Sequence, residues 1–280
     1  MYLRLPQTEI PRLQADPKLY KEMHIGPQAC TDWYGFNTQR APTDNPLVRK
    51  AIAAAIDKQI LIDIVVKKAH VSATTFTHPL SFGAINPKTE QVGIEFDPEQ
   101  ANKWLEEAGY PNGQGFPEVI LTHPEGESYQ AIAKGIKTLL KHYLNIDITV
   151  TALDWDRFWD AIQPLNSTTS PHLFRVSWCS DYPDANDWLP SVFHRDTGLN
   201  WLNGNNLDLF VQAVDEAKPI SDPTQRQELY RRAEQILTEQ EVAIIPLYFT
   251  NAQFLVKPWV KNWYNMAYGG QHIRNWSLVD

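Results

Sequence analysis

Strand-like and helix-like stretches take turns along most of this chain, and that alternation restricts the fold more than any single motif. Asp97-Pro98-Glu99-Gln100 has the pattern of a helix start, with an aspartate placed to cap and a proline in the first turn. Ala101, Trp104, Leu105 and Ala108 share one face of that helix, and Gly109 ends it. Residues 117–122 read as a strand, and residues 128–144 as a helix with Ile132, Ile136, Leu139, Leu140 and Tyr143 at core spacing. Residues 147–153 alternate as a strand, and residues 155–162 form a short helix bearing Trp155 and Trp159. Upstream, a short helical segment covers residues 9–15 and residues 31–37 are aromatic and extended. Asn45-Pro46 opens a helix with Val48, Ile52, Ala55 and Ile56 inward, and Asp57 opens another through Val66. Residues 69–92 hold turn residues without periodicity and read as a long loop. Downstream, residues 186–193 predict a short helix, and Asn205-Asn206 caps one through Lys218. Asp222-Pro223-Thr224-Gln225 starts a long helix through Gln240. Residues 243–249 predict a strand broken at Pro246, with 254–256 as another. The class is α/β, with no internal repeat.

Within this frame, residues 173–178 read as a short buried strand. Phe174, Val176 and Trp178 share one parity, Arg175 and Ser177 the other. The strand runs into Cys179-Ser180-Asp181-Tyr182-Pro183-Asp184, where Pro183 stops it. An arginine inside an apolar strand is costly unless it is paired or faces a cleft. Two readings follow: an Arg–Asp salt bridge at a strand end, or a loop that holds a ligand.

Composition narrows the function. With 280 residues the chain can form one large domain or two smaller ones, and 43% hydrophobic residues allow a packed core. A net charge of −8 and the lack of any basic run argue against a nucleic-acid partner. Ten tryptophans and eleven tyrosines suit either a core or a cleft that packs flat groups. No apolar run is long enough for a membrane span, so direct insertion by this chain is not expected, and Met1 opens no signal-peptide pattern. By spacing alone, Cys30 and Cys179 read as free thiols.

Asp181, Asp184 and Asp187 invite an enzyme reading, as an acid/base pair or a metal cluster. Their spacing lacks the alternating carboxylates and glycine of a calcium loop. The chain also lacks a nucleophile elbow, a phosphate-cradling glycine loop and a His-Glu helix motif, and its eight histidines are scattered. Neither an enzyme nor a cofactor is expected; a hydrolase or metal-dependent enzyme using the Asp181 loop stands as the alternative from another class.

Several segments carry a family resemblance: Leu13-Gln14-Ala15-Asp16-Pro17, Tyr34-Gly35-Phe36-Asn37-Thr38, the run from Asn45 to Asp57, residues 97–109, residues 177–184, Ile244-Ile245-Pro246-Leu247-Tyr248, and Val256-Lys257-Pro258-Trp259-Val260. Together they resemble the C-terminal portion of extracytoplasmic solute-binding proteins of the peptide/nickel type (family 5), the receptors of peptide-importing ABC transporters. The resemblance implies a type II periplasmic-binding-protein lobe, a mixed sheet with flanking helices, together with partial segments of a second lobe. Residues 31–249 would be the complete ligand-binding lobe, residues 1–30 a partial segment of the other lobe, and residues 250–280 a return to it. Intact receptors are much longer, so an N-terminally truncated receptor is expected.

The resemblance also implies roles. Asp181 would pair with the α-ammonium of a bound oligopeptide and Arg175 would take its C-terminal carboxylate. Trp155 would pack on ligand side chains, and Trp33 and Tyr34 would flank the cleft; core packing is the competing reading for each. Trp178 and Cys179 border the aspartate, Trp178 more as a core residue. Asp184 and Asp187 are expected as a loop carboxylate and a helix-start residue. A cysteine before an aromatic strand and one before the aspartate pair in the similar receptors, which reverses the free-thiol reading and implies a Cys30–Cys179 disulfide in an exported protein. The implied partners are an oligopeptide and ABC permease subunits, at a periplasmic or extracellular, membrane-associated location. An oligosaccharide or a nickel chelate is the alternative ligand.

Overall fold

The computed structural model describes residues 2, 3, 5, 9–65, 70–87, 89–163, 169–197, 207–269 and 272–279. The chain opens with strand β1 (Tyr2–Leu3) and helices α1 (Ile10–Ala15) and α2 (Pro17–Glu22), which lead into the long strand β2 (Met23–Phe36). Helices α3 (Pro46–Ala54) and α4 (Lys58–Ile64) precede the short strand β3 (Val71–Ser72). Then come α5 (Pro98–Glu107), β4 (Val119–Pro124), α6 (Glu127–Leu144), β5 (Ile148–Leu153), α7 (Trp155–Ile162) and β6 (Leu173–Cys179). Helices α8 (Leu189–Phe193), α9 (Leu207–Ala217) and α10 (Pro223–Gln235) lead to β7 (Ile244–Leu255), and strands β8 (Val260–Lys261) and β9 (Ser277–Leu278) close the described chain.

The expected caps form. Asn45, Asp57, Asp97 and Asp222 each accept a backbone N–H of the first turn, satisfying donors that a helix start leaves open, and Asp154, which the sequence reading did not single out, does the same for α7. The cap expected at Asn205-Asn206 lies outside the described residues.

The strands form one mixed sheet in the order β1-β7-β2-β6-β4-β5, with β3 also on β7. β2 runs antiparallel to β6 and β7, whereas β4 runs parallel to β5 and β6. The period-two alternation of β2 sends Tyr34 and Phe36 to one face, where Val48, Ile52, Leu105, Ile132 and Ile136 of α3, α5 and α6 cover them. It sends Trp33 to the other face, with Phe174, Phe158, Phe193, Phe210 and Tyr230. Each such side chain contributes about 1.5–3 kcal/mol on burial, so both faces are substantial cores. Smaller clusters sit at the far end of the β2–β7 ribbon, around Leu5, Ile10 and Leu13 and around Phe254, Val256 and Val260.

Three expectations change. The strand does not break at Pro246: β7 is continuous, and a register shift between Asp32 and Trp33 places Pro246, which has no N–H to give, at an irregularity of the ladder. The helix expected over residues 186–193 is a 3₁₀ turn (Ala185–Asp187) followed by α8; Asp184 caps that turn and Pro190 opens the new helix. Residues 69–92 are more than a loop, since β3 joins the sheet and Phe76 is wholly buried.

The Phe76–Thr77 segment is tied down by a buried carboxylate. Glu234 of α10 accepts the backbone N–H of Phe76, the N–H of Thr77 at 3.2 Å and the Thr77 hydroxyl at 2.8 Å. Glu234→Ala would strand two buried N–H groups, and we expect it to cost about 3 kcal/mol. Burial pushes the Glu234 carboxyl above its ordinary range, so Glu234→Gln is expected to cost less. Urea unfolding of both variants checks the ranking.

Candidate functional site

Because β4, β5 and β6 are parallel, their carboxyl ends (Pro124, Leu153 and Cys179) share one edge of the sheet. That edge is where open α/β sheets hold ligands, since the loops there leave the strands in a common direction. The loops are Glu125-Gly126 before α6, Asp154 before α7, and residues 180–187 after β6.

The loop at 180–187 is built to hold one shape. Cys30 and Cys179 face each other across β2 and β6 and are joined by a disulfide, as the family resemblance implied. Ser180 N–H donates to Ala29 O at 2.9 Å. The buried Asp187 carboxylate lies 2.8 Å from the Ser180 hydroxyl and accepts the Asp181 N–H at 2.6 Å. Trp178, half-buried, donates its indole N–H to Asp187 O at 2.9 Å. Asp184 receives a forked contact from Arg226, at 2.7 and 2.9 Å, and backbone bonds from Phe82 N–H to Pro183 O and from Ala185 N–H to Phe82 O stitch the loop to residues 81–84.

What this scaffold presents is Asp181. It is exposed, its N–H is held, and its carboxylate makes no hydrogen bond or ion pair among the described residues. Asp187 is therefore more than a helix-start residue: it is the group that holds Asp181. Its partners lie six and seven residues upstream across a turn, and spacing alone does not reveal that.

Arg175 has a different situation. It is buried and paired with Asp32 of β2, and its guanidinium lies 3.8 Å from the centre of the Tyr129 ring. The register explains the pairing: Tyr34 faces Arg175, Ser177 and Tyr248 both face Asp32, and all five share one face of the sheet. Burial works against the Arg175 charge, but Asp32 together with Tyr248, Tyr129 and Tyr34 outweighs it and holds the guanidinium charged. The salt-bridge reading of Arg175 is the one realised, although the acid is Asp32 and not a loop aspartate. The alternation of residues 31–37 places Asp32 on the Tyr34 face, but nothing local marks it as the partner.

The aromatics divide. Trp33 does not flank an open edge: it is 0% exposed, packed edge-on against Phe76, Phe174 and Phe193, because its parity turns it into the α8–α10 core. Tyr34 is also buried, beside Arg175. Trp155 is 60% exposed at the start of α7, near the carboxyl edge and beside Trp159. Among the described residues no group of three or more His, Cys, Asp or Glu side chains is placed to hold a metal ion, and no helix is long and apolar enough to cross a membrane.

A profile of bacterial extracellular solute-binding proteins, family 5 (middle region), matches residues 1–200. The periplasmic oligopeptide-binding protein OppA of Salmonella typhimurium is 27% identical over 241 residues, covering 85% of this chain and 43% of its own length. The periplasmic murein peptide-binding protein MppA of Escherichia coli is 29% identical over 246 residues, covering 86% of this chain and 44% of its own. The chain thus spans a little under half the length of these relatives. Among solved structures, a periplasmic oligopeptide-binding protein of Borrelia burgdorferi superimposes with a TM-score of 0.82 at 22% identity, over 98% of this chain and 53% of that one. The mixed sheet with flanking helices is the fold these proteins share.

Proposed function

The chain belongs to family 5 of the bacterial extracellular solute-binding proteins, and from that premise we propose that it is the substrate-binding component of an ABC importer, taking short oligopeptides for delivery to the permease. Binding occurs outside the cytoplasm, in the periplasm or at the outer face of the membrane. Residues 31–249 act as one ligand-binding lobe, residues 1–30 and 250–280 belong with a second, and the β2–β7 ribbon connects them. Relatives with similar sequences are named for oligopeptides and murein peptides, which supports the ligand class.

The observation that carries this reading is the Asp181 carboxylate, without a partner among the described residues, on its braced loop. A carboxylate fixed in this way is ready to accept hydrogen bonds from an ammonium group, the feature every unblocked peptide carries at its first residue. The bracing matters because the loop need not be ordered when ligand arrives. Exposed Trp155 offers a flat apolar surface near the same edge for a side chain.

The test is calorimetric titration with tri- to pentapeptides and with their N-acetylated forms. Free peptides are expected to bind and acetylated ones to bind at least about tenfold more weakly, with Asp181→Ala costing about 1.5–3 kcal/mol. Equal affinity of the Asp181→Ala variant would remove Asp181 from the site. Saturable binding of a sugar or a nickel chelate, with no peptide bound, would replace the ligand class.

A further inference from the structure

Arg226, Tyr230 and Glu234 stand four residues apart on α10, so they share one stripe of that helix. All three grip the ground behind the ligand loop. Glu234 holds Phe76 and Thr77. Tyr230 packs where the chain passes at Gly83. A Cβ there would lie 2.8 Å from the Tyr230 ring and 2.9 Å from Ala185 Cβ, and the φ of +81° also favours glycine. Arg226 reaches the loop itself. It donates to the two Asp184 oxygens at 2.7 and 2.9 Å and to the Tyr230 hydroxyl at 2.9 Å. Its guanidinium lies 5.1 Å from the centre of the Phe82 ring and 5.0 Å from that of Tyr230.

Two consequences reach Asp181. The first concerns charge. Asp181, Asp184 and Asp187 crowd three carboxylates into one loop. Asp187 is buried and engaged with Ser180 and the Asp181 N–H, and Arg226 occupies both oxygens of Asp184. Asp181 is thereby left as the exposed carboxylate that an incoming cation meets. The second concerns geometry. Before Asp181 the chain is held by the bond from Ser180 N–H to Ala29 O and by Asp187. After it, Pro183 and Asp184 are held by Phe82 and Arg226. A forked guanidinium contact fixes direction as well as distance, so it restrains the turn more than a single bond does. The pair is partly exposed, at 20% for Arg226 and 23% for Asp184, and such pairs contribute little to folding stability.

We propose that Arg226 is a positioning residue for ligand recognition: from the rigid α10 it fixes the turn after Asp181 and neutralises Asp184, so that a peptide ammonium meets one carboxylate in one place. This rests on the peptide reading given above. Arg226 acts through Asp184 and not by touching the ligand. Its removal therefore weakens the recognition of the ammonium selectively, and leaves the contacts made by the rest of the peptide in place.

The experiment reads one ratio by calorimetry, the affinity of a free tripeptide over that of its N-acetylated form. Acetylation removes the ammonium alone, so the ratio isolates what Asp181 contributes. From about tenfold or more on the unaltered protein, it is expected to fall to about threefold or less in the double variant Arg226→Gln/Asp184→Asn, with the acetylated peptide bound within about twofold of its original affinity. The double variant removes the pair without freeing a second carboxylate. Arg226→Lys keeps the charge beside Asp184 but loses the fork, and its ratio is expected to lie between the other two. An unchanged ratio in the folded double variant overturns the proposal; if that variant fails to fold, an unchanged ratio in Arg226→Lys does so. A parallel loss of both affinities also overturns it, since the pair would then support the lobe as a whole. Equal binding of the two peptides by the unaltered protein, or no binding of either, is seen before any variant is made. In that case the peptide reading itself fails at Asp181, and the proposal falls with it.

Discussion

Breaking the Cys30–Cys179 disulfide is expected to remove about 5 kcal/mol of stability, by the chain-entropy argument for a crosslink spanning 149 residues. The two half-cystines face each other across β2 and β6, so the native sheet already brings them together and the bond acts mainly by restricting the unfolded chain. That loss is a large part of the stability of an ordinary domain. The consequence reaches the site, because Cys179 immediately precedes Ser180 and Asp181. Guanidinium unfolding of the double variant Cys30→Ser/Cys179→Ser, compared with the oxidised protein, should show a much lower midpoint at similar slope. An unchanged midpoint would mean that the unfolded chain is already constrained without the crosslink.

Acidification from pH 6.5 to 4.5 should also destabilise the protein steeply, before most carboxylates titrate. His70, His78 and His172 are each held down to about 4 by burial; at His172 the Arg40 charge adds to this. The geometry agrees. Each ring accepts a backbone N–H at Nδ1: Asn251 N–H at 3.1 Å for His70, Leu80 N–H at 3.2 Å for His78, and Ile120 N–H at 2.9 Å for His172. His172 has its other nitrogen 3.1 Å from Ala41 O, which assigns the proton to Nε2. Protonating Nδ1 destroys each acceptor. The folded pKa lies below the unfolded one, so the unfolded chain binds more protons in this window. The stabilisation is therefore complete above pH 6.5 and is lost as pH falls toward 4, on the order of 2–3 kcal/mol per histidine. Unfolding midpoints measured at half-unit steps of pH check this. A flat profile between pH 6.5 and 4.5 would contradict it, and His172→Gln should reduce the slope by about a third.

Much of the scaffold was legible because the signals are local. A cap needs only an aspartate or asparagine and the next three residues, and the caps at Asn45, Asp57, Asp97 and Asp222 form as the sequence implies. The alternation at residues 173–178 and 147–153 likewise forecast β6 and β5. Pro246 misled because a proline weighs against a strand only where the ladder is regular, and a shift of register excuses it. Trp33 misled because a strand buried on both faces gives its aromatics no outward side: Trp33 and Tyr34 have opposite parity, and both are enclosed.

By itself the sequence determined the α/β class, the positions of most helices and strands, the family likeness and the loop that carries Asp181. These depend on a few neighbouring residues at a time. Only the tertiary structure decided what the charges do. Asp32 and Arg175 are separated by 143 positions and meet through the antiparallel register of β2 and β6. Asp187 reaches back across a turn to hold Asp181 in place. A buried charge must find a partner, but which partner is settled by strand register and chain reversal, and those are set by the packing of the whole sheet.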